Sequence, residues 1–156
     1  MFSLFKKKKH GDRDIVAIAN GRMFPLEEVK DEVFSAKMMG DGVAFELDED
    51  DVLAPSNGVL TALFPTGHAF GLKRNDGVEL LVHIGLDTVQ LKGQGFSALV
   101  KQGDKVAAGD PIVRVDRKFV KEKGYDLSTM LLVTEANGKE ICFTGFGKVE
   151  KEQKIN

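Results

Sequence analysis

Short apolar runs separated by glycine-bearing turns recur from Ile15 to Phe143, and most of them alternate apolar and polar positions with period two. In GDGVAFEL, the side chains of Val43, Phe45 and Leu47 fall on one side of an extended segment. Ile15 to Ala19, Met130 to Thr134 and Ile141 to Phe143 read as further strands. Another opens at Pro111 and runs to Val115, where the missing proline N–H is tolerated at a strand's first residue. Gly-Asp pairs at 103–104 and 109–110 mark turns, and Asn137-Gly138 is a hairpin signal. Helical pattern is sparse. The segment Pro25 to Met38 is partly helical, with Pro25 placed to start one turn; Asp116 is placed to cap a short helix around Phe119 to Lys123; and Asp126 opens one more short turn. Strands this short and this closely spaced predict an all-β sandwich or barrel rather than alternating βα units.

The run GVELLVHIGLDT carries a histidine inside such a strand. Counted with period two, Val78, Leu80, Val82, Ile84 and Leu86 form the core face, while Glu79, Leu81, His83, Gly85 and Asp87 face the other way. Upstream, Thr66, His68, Phe70 and Leu72 share one face, and Lys73 to Gly77 is turn material. A hairpin with Asn75-Asp76 as its loop pairs His68 with His83; a loop of Asp76-Gly77 sets His68 opposite Gly85. Both registers place the two imidazoles together on one face.

Composition narrows the function classes. The chain of 156 residues fits one domain, predicted over 13–150 between a basic tail, 1–12, and a C-terminal tail, 151–156. A formal net charge of -2 gives no general reason to bind nucleic acid. No apolar stretch approaches the roughly 20 residues of a membrane span and no signal peptide is evident, so a cytoplasmic protein is expected. Phe2, Leu4 and Phe5 ahead of Lys6 to Lys9 admit a weak membrane contact, against the plainer reading of a frayed terminus. Cys142 is the one cysteine, which excludes an internal disulfide; within EICFTGF it reads as a buried small hydrophobe. The acidic turn Asp48 to Asp51 lacks a regular ligand spacing and reads as solvated.

Three readings fit the histidine pair. The rings can be satisfied by local hydrogen bonds on a semi-exposed sheet. They can bind a metal, although a zinc hydrolase needs further ligands and His10 and Cys142 are poorly placed to supply them. Or one ring can accept a phosphoryl group on one nitrogen while a hydrogen bond holds the other, with the second imidazole and the Thr66 hydroxyl contacting the phosphoryl oxygens.

The segments VLAPSNGVLTALFPTGHAF, GVELLVHIGLDTVQLKGQGF and VKQGDKVAAGDPI resemble the glucose-family enzyme IIA domain of the bacterial phosphoenolpyruvate-dependent sugar phosphotransferase system, over about Ile15 to Gly147. The resemblance implies an antiparallel β-sandwich, or flattened barrel, with a few short helical turns. It implies that His83 takes a phosphoryl group from the phosphocarrier protein HPr and passes it to a cysteine of a IIB domain. His68 would stabilise that group by a hydrogen bond, supported by Thr66, and Asp87 would lie close by. Phe34, Phe64, Phe70 and Leu81 are the implied apolar rim for both partners. No cofactor and no metal in the isolated chain are implied, zinc at His68 and His83 arising only where a regulated partner adds a carboxylate. A regulatory binding module using the same face is the alternative role, and a zinc-dependent hydrolase the more distant one.

Overall fold

The computed structural model describes residues 9–156. The run Phe2 to Lys8, and with it most of the basic tail and its membrane contact, lies outside the described residues. The rest folds into β1 (Gly21–Pro25), α1 (Glu32–Ser35), β2 (Asp41–Leu47), β3 (Asp51–Leu53), β4 (Gly58–Leu63), β5 (Ala69–Lys73), β6 (Glu79–Ile84), β7 (Phe96–Ala98), β8 (Lys105–Val106), β9 (Pro111–Val115), α2 (Arg117–Glu122), β10 (Thr129–Glu135) and β11 (Gly147–Val149). Single 3₁₀ turns add Leu26–Glu28 and Thr88–Leu91. The strands form two sheets, one ordered β11-β1-β2-β10-β6-β5-β4-β8 and a smaller one ordered β3-β9-β7. Every pairing is antiparallel, as the resemblance implies.

The large sheet buries side chains on both faces. Inward, Val43, Phe45, Phe70, Leu72, Leu80, Val82 and Leu131 meet Val52, Ile112, Val113 and Val115 from the smaller sheet. Outward, Phe24, Ala44, Met130 and Leu132 are covered by Leu26, Val29 and Phe34 from the segment between β1 and β2. This double burial explains why β2 is apolar at Ala44 as well as at the alternating Val43, Phe45 and Leu47. It also explains the mixed character of 25–38: two short helical turns suffice to lay a few apolar side chains over one patch of sheet. The cap at Asp116 forms as expected, its carboxylate accepting from Phe119 N at 3.1 Å at the start of α2. The two Gly-Asp turns close in the same way, Asp104 and Asp110 accepting from Lys101 N and Ala107 N.

Three expectations change. Ile15 to Ala19 is buried but is not a strand; its backbone makes a single bridge, Val16 to Lys154, and otherwise bonds to loop residues and to Leu53 at the end of β3. Ile141 to Phe143 does not return as a ladder strand, although Ile141 and Phe143 still pack on the core. Because those neighbours take the inward positions, Cys142 points out and is exposed rather than buried. Within 151–156, Ile155 is fully buried, and its N–H donates to Ile15 O at 2.9 Å. His10 is tied down too, its Nε2 3.3 Å from Glu152 Oε1 and its carbonyl accepting from Asn57 Nδ2 at 2.9 Å.

Candidate functional site

Strand β6 places His83 on the outer face, as alternation predicts, with Leu80, Val82 and Ile84 buried on the inner one. Direct pairing sets Phe24, Ala44, Met130, His83 and Ala69 in one row across five strands. His83 therefore continues the outer apolar row at the point where the covering segment ends. The hairpin register differs from both expected ones. Arg74 N donates to Val78 O and Gly77 N to Arg74 O, which closes a three-residue loop, and His83 pairs with Ala69. Asp76 sets the loop length by accepting from Val78 N at 3.2 Å and from the Arg74 guanidinium, and Gly77 supplies the left-handed residue at φ 87 that such a loop needs.

This register sends Phe70 inward opposite Val82, so Phe70 is a fully buried core residue and not part of a rim. His68 reaches His83 by another route than shared strand parity. It lies one residue before β5, after a turn closed by Gly67 N donating to Phe64 O, and its carbonyl accepts from Ile84 N at 2.7 Å. Released from the pleat, its ring turns edge-on to His83, the centroids 5.2 Å apart and the planes at 79°. Phe64 stands edge-on to His68 at 5.3 Å, and Phe34 is tilted against His83 at 5.0 Å. Four rings thus run Phe64, His68, His83, Phe34. Phe64 is 42% exposed, Phe34 is buried, and Leu81 is partly buried against the outer cluster.

The ring nitrogens are differently engaged. His83 Nδ1 lies 2.9 Å from the Gly85 carbonyl, which only accepts, so Nδ1 carries the proton and the neutral ring keeps its lone pair on Nε2. His68 Nδ1 lies 2.5 Å from Thr66 Oγ1. When the hydroxyl donates, the His68 proton sits on Nε2. Burial lowers the His68 pKa below its ordinary value. Burial also lowers that of His83, and the adjacent His68 acts in the same direction; the Gly85 carbonyl and the carboxylates of Asp31 and Asp87 pull the other way. Both rings are thereby biased toward the neutral, nucleophilic form.

Asp87 is exposed at φ 58, and its side chain makes no capping hydrogen bond to the turn it opens. Asp31, the other carboxylate that acts on His83, is absent from the residues expected at the site. It caps α1 by accepting from Val33 N at 2.9 Å, in the short element that also carries Phe34. An aspartate directly before Glu-Val-Phe is a local cap signal, but its nearness to His83 follows from the chain folding over the outer face. Among the described residues no group of three or more His, Cys, Asp and Glu side chains could hold a metal. The pair alone falls short of the ligand count of a catalytic zinc centre. The concavity of about 590 Å³ lined by Asn57, Val59, Lys73, Arg74 and Lys105 holds neither imidazole.

Paired imidazoles on the outer face of a β-sandwich, one with a free Nε2, are the equipment of a group-transfer domain. Comparison with known proteins gives that class its family. Residues 13–138 match the family described as phosphoenolpyruvate-dependent sugar phosphotransferase system, EIIA 1. The chain is 44% identical over 145 residues to the PTS system glucoside-specific EIICBA component of Staphylococcus carnosus, covering 93% of this chain and 21% of that protein. It is 45% identical over 144 residues to the PTS system beta-glucoside-specific EIIBCA component of Bacillus subtilis, covering 92% of this chain and 23% of the relative. A solved structure, glucose permease IIA from Mycoplasma capricolum, superposes with a TM-score of 0.88 at 40% identity, covering 97% of this chain and 96% of that one. The chain belongs to the EIIA 1 family of the phosphoenolpyruvate-dependent sugar phosphotransferase system and is a phosphoryl-transfer component of it. It spans about a fifth of the length of the curated relatives it matches. No helix among the described residues is long and apolar enough to cross a membrane.

Proposed function

We propose that His83 is the phosphoryl acceptor, loaded by HPr and discharged to a cysteine of a IIB domain during sugar uptake. The observation that carries this reading is the hydrogen bond from His83 Nδ1 to Gly85 O, which leaves the Nε2 lone pair as nucleophile. Nε2 attacks phosphorus, the donor–phosphorus bond breaks and the donor keeps that electron pair. In the second step the cysteine thiolate attacks, an S–P bond forms, and the N–P electron pair returns to Nε2. Thr66 holds His68 with Nε2–H aimed at the phosphoryl oxygens, where it offsets charge in both transfers. Phe64 offers exposed apolar surface beside the rings for docking, and Asp87 and Asp31 supply negative charge at its margin.

The sugar itself never meets this domain. Relatives named glucoside-specific, glucose-specific and beta-glucoside-specific stand at 44%, 42% and 45% identity, as expected if the sugar is chosen elsewhere. The relay reading places the domain in the cytoplasm. The test is incubation with phosphoenolpyruvate, enzyme I and HPr. An acid-labile, base-stable phosphoryl group is expected on the wild-type chain and none on His83→Ala. His68→Ala is expected to accept the group but pass it on poorly. A wild-type chain that takes no label overturns the proposal.

A further inference from the structure

Thr88 closes the HIGLDT run, and the relay as described gives it no task. It is fully buried, and its hydroxyl donates to the Ile84 carbonyl at 2.5 Å. That carbonyl belongs to the peptide entering Gly85, whose N–H donates to Ser128 O at 3.1 Å. The peptide leaving Gly85 is held on both sides as well: Leu86 N donates to Asp126 O at 2.9 Å, and the Gly85 carbonyl accepts from His83 Nδ1 at 2.9 Å. Two successive peptide planes are pinned at four points. Apart from His83 itself, Thr88 is the one side chain among those points.

Gly85, between the planes, has φ 80, where a residue without Cβ turns with little resistance. A Cβ placed on it would fall 2.5 Å from Thr88 Cγ2, so Thr88 also fills the space beside the turn. With the Ile84 carbonyl released, the first plane can rock, the Gly85 carbonyl swings off Nδ1, and the imidazole proton is free to occupy either nitrogen. We propose that Thr88 is a positioning residue for the phosphoryl acceptor. By holding the Ile84 carbonyl it aims the Gly85 carbonyl at His83 Nδ1 and so keeps the lone pair on Nε2. The effect on rate rests on the relay reading; the effect on the tautomer does not.

Nitrogen-15 spectra of the unphosphorylated protein at alkaline pH report the His83 tautomer directly. The wild type is expected to show a protonated Nδ1 and a bare Nε2. Thr88→Val, of the same shape without the hydroxyl, is expected to show a mixture of tautomers, and Thr88→Ser to keep the wild-type pattern. Phosphorylation by phospho-HPr is expected to slow about two- to tenfold in Thr88→Val, the range set by one neutral hydrogen bond, and to recover in Thr88→Ser. A Thr88→Val protein with wild-type tautomer and rate overturns the proposal. Equal impairment of the Val and Ser variants also overturns it, since the methyl contact with Gly85 would then be responsible. Should Thr88→Val fail to fold, Thr88→Ala against Thr88→Ser gives the same contrast. If the wild type takes no phosphoryl group, the relay reading fails while the tautomer comparison still decides the role of Thr88.

Discussion

Burial and the adjacent His68 ring lower the affinity of His83 for a proton, and removing that neighbour should reverse part of the effect. In His68→Gln the His83 pKa is expected to rise toward the ordinary 6.5, read by proton NMR titration; an unchanged value would contradict the coupling. The same shifts bear on stability. A histidine whose folded pKa lies below its unfolded one favours the native state fully above the unfolded value of about 6.5, and that contribution is lost as pH falls through the folded one. Denaturant titrations above and below this window should therefore show the wild type losing more stability on acidification than a His68→Gln, His83→Gln variant. The rim residues separate by burial. Phe70→Ala is expected to destabilise by about 3–5 kcal/mol, whereas Phe64→Ala should leave stability within about 0.5 kcal/mol and slow transfer instead. The orientation of His83 was legible in the alternation from Val78 to Leu86. Phe70 was misplaced because His68 and Phe70 share sequence parity, and only the turn at Gly67 frees His68 from the pleat.

Elements were legible where their signals are local. Asp116 before a short apolar helix, Pro111 at a strand start and the paired Gly-Asp turns all appear where the residue types demand them. Asp116→Ala should lower stability by about 1 kcal/mol, measured by chemical denaturation, because the Phe119 amide loses its acceptor. Loop length in the β5–β6 hairpin was not legible. Asn75-Asp76 and Asp76-Gly77 are both acceptable turn pairs, and the choice fell to the Asp76 carboxylate, which binds Arg74 and Val78 N together. Arg74 holds that carboxylate down at a pKa of about 2, so the clasp persists across the physiological range. The role of Asp31 is not legible for a related reason. Its cap is local, but its effect on His83 depends on the segment between β1 and β2 lying over β2, β10 and β6.

For the whole molecule, the all-β class followed from strand spacing and the antiparallel sandwich from the resemblance, while the burial of both faces of the larger sheet followed from neither. A run such as Ile15 to Ala19 is apolar enough to read as a strand, yet its backbone partners are scattered over a loop, the end of β3 and residues 152–155, with no continuous ladder. Ile155→Ala is expected to cost about 2–5 kcal/mol in spite of lying next to the end of the chain, because its side chain is fully enclosed. The adjacency of Val16 and Lys154 has a topological consequence: the order of the strands along the polypeptide is separable from their order in space. A linker joining His10 to Asn156 in place of the first nine residues, with a new opening at the exposed Gly138, would yield a circular permutant that keeps every sheet neighbour of His83. Such a rearranged chain, started at Lys139, should still place His68 and His83 edge to edge.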